Sequence, residues 1–172
     1  MDVNVNGVLF TAQAAGQIME RTGTAGSIIL IGSISGSVAN KVSVHIRDFF
    51  SLFTDSVQGL KWSAYNCSKG AVLQMTKGMA SELGAKGIRV NSISPGYIET
   101  QCVSSSFLPP DLVIYGIPHL DRMTKDFMDK NPHLREEWSS MSPFGRIGRP
   151  DELRGVALWL AGDGSTFCTG SK

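Results

Sequence analysis

The chain has 172 residues, 42% of them hydrophobic and 18% charged, and a formal charge of +1 from 16 Lys and Arg against 15 Asp and Glu. That length suits one domain with one core, and the balance of apolar and charged residues excludes a disordered polypeptide. No basic stripe supports a nucleic-acid partner, and the longest aliphatic run, Ile28 to Ile31, is too short to span a bilayer. Residues 1–20 lack the basic-then-apolar layout of a signal peptide. Cys67, Cys102 and Cys168 are odd in number and far apart, which argues against a disulfide framework and suits a reducing compartment. The expected setting is cytoplasmic, with neither nucleic acid nor membrane as a partner.

In chain order, Val5 to Arg21 is predicted to be helical, because Val8, Ala12, Ala15 and Met19 recur at three- and four-residue spacing. Gly23 and Gly26 end that helix. Ser27 to Gly32 is a β-branched run between glycines, expected as a buried strand. A stretch of small polar residues follows, Ser33 to Lys41. Ser63 to Gly84 gives the strongest helix signal, with Ala64, Ala71, Val72, Met75, Met79 and Leu83 roughly on one side. Ile88 to Ser94 predicts a second strand, stopped by Pro95-Gly96. Pro150 to Ala161 predicts a short helix, with Pro at its start and Asp151 and Glu152 in its first turn. This alternation implies an α/β fold with parallel strands and crossover helices. Ligands of such sheets bind beyond the C-terminal strand ends, which are marked here by Ser33 and Pro95. Two strands cannot bury both faces of an α/β layer, so further strands are expected on both sides in sequence.

The chemistry centres on Tyr65-Asn66-Cys67-Ser68-Lys69. Four positions apart on a helix, Tyr65 and Lys69 share a face, with Cβ atoms about 5–6 Å apart. Phenols titrate near ~10, too high for acid/base work at neutral pH, and an adjacent ammonium favours the phenolate. A hydroxyl from Ser33, at a strand end, would hold a carbonyl or alcohol oxygen against the phenol. Taken alone, a Tyr and a Lys at this spacing are more often a half-buried ring beside a solvated cation, and only their context raises them. His45, His119 and His133 have no metal-ligand spacing and no Cys-x-x-Cys occurs, so no metal site is expected. Trp62, Trp138 and Trp159 are read as packing or pocket residues.

That context resembles the short-chain dehydrogenase/reductase family. Asp2-Val3-Asn4-Val5-Asn6-Gly7 is similar to the family's helix-start segment and maps its catalytic Asn to Asn4. Ser27 to Gly36 resembles the strand that ends in the catalytic Ser, hence Ser33, and Tyr65 with Lys69 matches the Y-x-x-x-K pair. Arg89 to Thr100 resembles the segment whose Pro-Gly-x-x-x-Thr lines the nicotinamide pocket, which carries cofactor roles to Pro95, Gly96, Ile98 and Thr100, beside Tyr65 and Lys69 themselves. Pro143 to Gly170 resembles the family's final segment before its last strand. Within the family, GRIGRPDELRG and WLAGDGSTFCTGS resemble the NADP-preferring branch of mannitol, arabinitol, sorbose and xylulose reductases. The resemblance implies a partial Rossmann-like, doubly wound parallel sheet lacking its first half and last strand. It also implies NADP or NAD as cofactor, a secondary alcohol or ketone of polyol or sugar type as substrate, and a homodimer or homotetramer. Related epimerases and dehydratases share Y-x-x-x-K, but the Pro-Gly-x-x-x-Thr segment favours simple alcohol/ketone chemistry.

Three departures from the family stand out. The Gly-rich turn that holds a dinucleotide pyrophosphate precedes this region in the family, and no G-x-x-x-G-x-G occurs here. Residues 1–172 are therefore expected to form a single truncated catalytic domain, and a catalytically inactive fragment unable to bind dinucleotide is the rival reading. The chain also stops at Gly170-Ser171-Lys172, ahead of the family's last strand. Finally, Ser33 and Tyr65 lie 32 positions apart, about twice the family's spacing. Removing 42–58 restores that spacing, and removing 102–122 joins Thr100-Gln101 to Met123-Thr124 in the pattern of the family's substrate loop. The two segments read as insertions, either retained introns or surface loops, and loops tolerate such additions cheaply.

Overall fold

The computed structural model describes residues 1–38, 63–99 and 132–172. Both segments read as insertions, 42–58 and 102–122, lie outside the described residues, as does Thr100. The described chain divides into two compact units, residues 1–95 with 155–172 and residues 96–154.

The first unit is built on two parallel strands, β1 (Gly26–Ile31) and β2 (Ile88–Ile93), in register from Gly26 opposite Ile88 to Ile31 opposite Ile93. Alternation sorts their side chains onto two faces. On one face Ile28, Leu30, Ile88 and Val90 are buried, together with Ala12 of helix α1 (Val8–Thr22) and Val72 and Ala80 of helix α2 (Ser63–Leu83). Val8, Ala15, Met19, Met75, Met79 and Leu83 pack around this core, matching the apolar stripes expected from the sequence, whereas Ala64 is exposed. Glycine lets α1 approach the end of α2: a methyl on Gly16 would lie 3.1 Å from the Leu83 side chain. The αL conformation of Gly23, with φ of 63°, ends α1.

The opposite face carries Ser27, Arg89 and Asn91 and meets the last part of the chain. Ser27 Oγ donates to Leu160 O (2.8 Å) at the end of a helix spanning Arg154–Ala161. Arg89 donates to Leu160 O (2.9 Å), Gly162 O (3.2 Å), Ser165 Oγ (2.9 Å) and Cys168 O (3.4 Å). The fully buried Asn91 amide donates to Cys168 O (2.8 Å) and accepts from Ser171 N (3.1 Å). Residues 170–171 also run along the outer edge of β2, with Gly170 N donating to Val90 O (2.7 Å) and Ser92 N to Ser171 O (2.9 Å). Helices thus cover both faces of a parallel pair, the layering that strand–helix alternation implies.

Four features differ from the sequence expectation. The first helix begins earlier, as a π-helical turn over Asp2–Gly7. A short 3-10 turn, Ile34–Gly36, follows β1. Helix α3, Pro132–Ser140, belongs to the second unit and was not expected. The predicted helix at Pro150 is a 3-10 turn (Pro150–Leu153) leading into helix α4, Arg154–Ala161. Among the described residues no helix is long and apolar enough to cross a membrane, and no group of His, Cys, Asp or Glu could hold a metal ion.

Candidate active site

Beyond β1 the backbone remains stitched to the end of β2. Gly32 N donates to Ile93 O (2.8 Å) and Ile34 N to Pro95 O (3.1 Å), so Ser33 is held between two inter-strand bonds. Ser33 is buried and extended, and it caps the Ile34–Gly36 turn by accepting from Ser35 N at 3.1 Å. Since that bond uses an acceptor lone pair, the hydroxyl keeps its proton for donation.

The turn presses directly on α2. A methyl on Gly36 would lie 2.7 Å from the Lys69 backbone carbon and oxygen and 3.0 Å from Gly70 N, so only glycine allows this approach. The strand end carrying Ser33 is thereby fixed against the helical turn carrying Lys69. Lys69 Nζ donates to Ile31 O (3.1 Å) and lies 5.8 Å from the Tyr65 ring centroid. Burial pushes the Lys69 ammonium below its usual range.

Asn4 lies in the π-helical turn, a distortion that recurs at functional sites. Its Nδ2 donates to Ser68 Oγ (3.2 Å), and Ser68 Oγ donates to Tyr65 O (2.7 Å). The first unit therefore brings Asn4, Tyr65, Lys69 and the Ser33 turn together, with Pro95 as the anchor of that turn. Sequence reasoning missed Ser68, which is buried between Tyr65 and Lys69. A hydroxyl inside a helix, three residues after Tyr65 and able to bond its carbonyl, was the available signal.

In the second unit, Gly96 leads into a strand-like segment in which Ile98 pairs in parallel with Gly148. Gly148 N donates to Tyr97 O (3.0 Å) and Glu99 N to Gly148 O (2.8 Å). A methyl on Gly148 would lie 2.8 Å from Ile98 Cδ1. Tyr97 stacks on Trp138, with centroids 4.7 Å apart and planes inclined 12°.

A cavity of about 650 Å³ opens in the first unit between the end of β2 and α4, with Ile34, Ile93, Ser94, Trp159 and Leu160 in its walls. Neither Tyr65 nor Lys69 lines it. We therefore take as the candidate site the Tyr65–Lys69 face, where Asn4, Ser68 and the Ser33 turn come together, and not this cavity.

The parallel α/β layer of the first unit recurs in known proteins. A family model described as enoyl-(acyl carrier protein) reductase matches residues 51–111 and 119–172, more than half of the chain. The chain belongs to the short-chain dehydrogenase/reductase family. It is 37% identical over 169 residues to a sorbose reductase of Schizosaccharomyces pombe, covering 98% of this chain and 49% of that protein. It is 33% identical to an L-tagatose-forming galactitol 2-dehydrogenase of Cereibacter sphaeroides, covering 99% and 52%. Among solved structures, a short-chain type dehydrogenase/reductase from Mycobacterium marinum superposes with a TM-score of 0.70 at 35% identity, covering 99% of this chain and 50% of that one. A gluconate 5-dehydrogenase from Burkholderia cenocepacia, in complex with NADP and tartrate, gives 0.71 at 29% identity, covering 99% and 51%. The chain spans about half the length of the relatives it matches.

Proposed function

We propose that the chain is part of an NADP- or NAD-dependent oxidoreductase that interconverts a secondary alcohol and a ketone on a polyol or sugar-like substrate. The observation that carries this reading is the position of Lys69, whose ammonium donates to Ile31 O at 3.1 Å and sits 5.8 Å from the Tyr65 ring. In alcohol oxidation Tyr65 Oη takes the hydroxyl proton from the substrate, and in ketone reduction it returns one. Lys69 places its ammonium on the same helical face, 5.8 Å from the Tyr65 ring. The Ser33 hydroxyl donates to the substrate oxygen and orients it. Asn4 orders a water that relays protons to Lys69.

The donor set fits the reactive end of a dinucleotide: an ammonium fixed at a strand end, a phenol one turn away, and a second strand running into Pro95 and Gly96. Pro95, Gly96, Ile98 and Thr100, with Tyr65 and Lys69, would hold that end. A bound nicotinamide supplies the hydride acceptor or donor that the side chains lack. The sorbose and galactitol activities of the relatives support a polyol or ketose substrate. The NADP held by the gluconate dehydrogenase supports the cofactor. We further read the two units as parts of one catalytic domain and the parallel pair as part of a Rossmann-like doubly wound sheet. A homodimer or homotetramer in the cytoplasm completes the reading.

Tyr65→Phe tests it. Positioned acid/base groups contribute about 10²- to 10⁴-fold, so turnover of a polyol panel with NADP⁺ should fall by that factor, and a loss below ~10-fold would end the assignment of Tyr65. The second reading is an inactive fragment that holds no dinucleotide. The 172 residues contain no G-x-x-x-G-x-G. Calorimetric titration decides between the two, because saturable NADP⁺ binding by the 172-residue chain is incompatible with the fragment reading.

A further inference from the structure

Segment 97–99 is gripped from two sides within its own unit. One grip is the backbone pairing of Tyr97 and Glu99 with Gly148. The other comes from α3, where the buried Trp138 stacks on Tyr97 and Arg135 pairs with Glu99 at 2.9 Å. Both spacings fit their elements. Residues three apart share a helix face, and residues two apart share a strand face, so 135 and 138 meet 99 and 97 as a matched double contact. Burial, and secondarily the Glu137 carboxylate, push the Tyr97 phenol above its usual range, so the stacked ring stays uncharged around neutral pH.

We infer that Trp138, seconded by Arg135, is a positioning residue that fixes the segment bearing Gly96 and Ile98 for the nicotinamide end of a dinucleotide, so that a dinucleotide held there also orders α3. This rests on the functional reading above and adds to it residues with no part in proton transfer. Trp138 touches no reacting atom and acts through Tyr97.

The test uses the full 172-residue chain with NADP⁺ as the probe. Wild type, Trp138→Ala, Trp138→Phe and Arg135→Gln are compared by calorimetric titration and by hydrogen exchange over 96–99 and 132–140. An aromatic stack changes local opening by about 2- to 10-fold. Trp138→Ala should therefore speed exchange in both segments and weaken NADP⁺ binding by that order, while α1 and β1 exchange as in wild type. Trp138→Phe, which keeps a ring over Tyr97, should restore both, and NADP⁺ should slow exchange in α3 of the wild type. If Trp138→Ala does not fold, Arg135→Gln at the partly exposed ion pair carries the same comparison with a smaller shift. Unchanged NADP⁺ affinity in both variants, or an α3 whose exchange ignores bound NADP⁺, overturns the inference and leaves the functional reading standing. A wild-type chain that binds no NADP⁺ overturns both.

Discussion

In the unit formed by 1–95 and 155–172, apolar side chains from two helices meet two strands. Its main long-range polar contacts run to backbone carbonyls, as from Arg89, Asn91 and Lys69. In the unit formed by 96–154, two of the polar fastenings are guanidinium–carboxylate pairs at solvent-accessible positions, Arg146 with Glu152 and Arg149 with Asp151. Exposed pairs of this kind add little stability and are weakened by salt. The groups proposed to handle protons thus sit on the unit with the buried apolar cluster. The segment proposed to meet the cofactor sits on the part held more by charge and by one aromatic stack.

Four experiments would sharpen or break that contrast. The largest effect is expected at the fully buried Ile88, where truncation to Ala should cost about 2–5 kcal/mol in urea unfolding. A value under ~1 kcal/mol would mean that the first unit has no tight core. Next comes Gly36→Ala, whose methyl cannot fit against the Lys69 backbone; overpacking of this kind costs about 1–3 kcal/mol. It should also depress turnover by moving Ser33 away from α2, and wild-type activity in this variant would detach the Ser33 turn from the site. Arg89→Gln leaves several carbonyls short of a donor and should cost about 1–3 kcal/mol.

The smallest effect is acid sensitivity of the second unit. Hydrogen bonds from Arg146 hold Glu152 down to about 2 from an ordinary 4.5. A lowered carboxylate contributes its stabilisation in full above 4.5 and loses it as pH falls toward 2. Hydrogen exchange over 146–153 should accelerate across that window, and Glu152→Gln should flatten the change. Equal acceleration in the variant would show that the pair is not responsible.

Much of the first unit was legible because its signals are local and repetitive. The runs SIILIG and IRVNSIS between glycines and a proline marked both strands. The spacing of Val72, Met75, Met79 and Leu83 marked the α2 face. Helical periodicity put Tyr65 and Lys69 on one face and strand reading put Ser33 at a strand end, but only the family resemblance raised the three to site residues. What stayed hidden depends on contacts between distant residues. Nothing in Asp2-Val3-Asn4-Val5-Asn6-Gly7 announces a π-helical turn, because such a turn inserts one extra residue without changing the composition. Helix α3 was missed because Pro132–Ser140 is short and largely polar. The Tyr97–Trp138 stack joins residues 41 positions apart, a distance over which no periodicity speaks. Asn4 was read from resemblance alone, and its link through Ser68 became visible only in three dimensions.

Arg89 has a consequence of its own. Every acceptor that holds it among the described residues is neutral: three peptide carbonyls and one hydroxyl. Peptide dipoles at the end of α4, rather than a counter-ion, balance its charge, so molar salt has little to compete for there. Concentrated brine should therefore leave the join between β2 and the chain's last turn closed, even where it loosens the carboxylate clasps around Arg146.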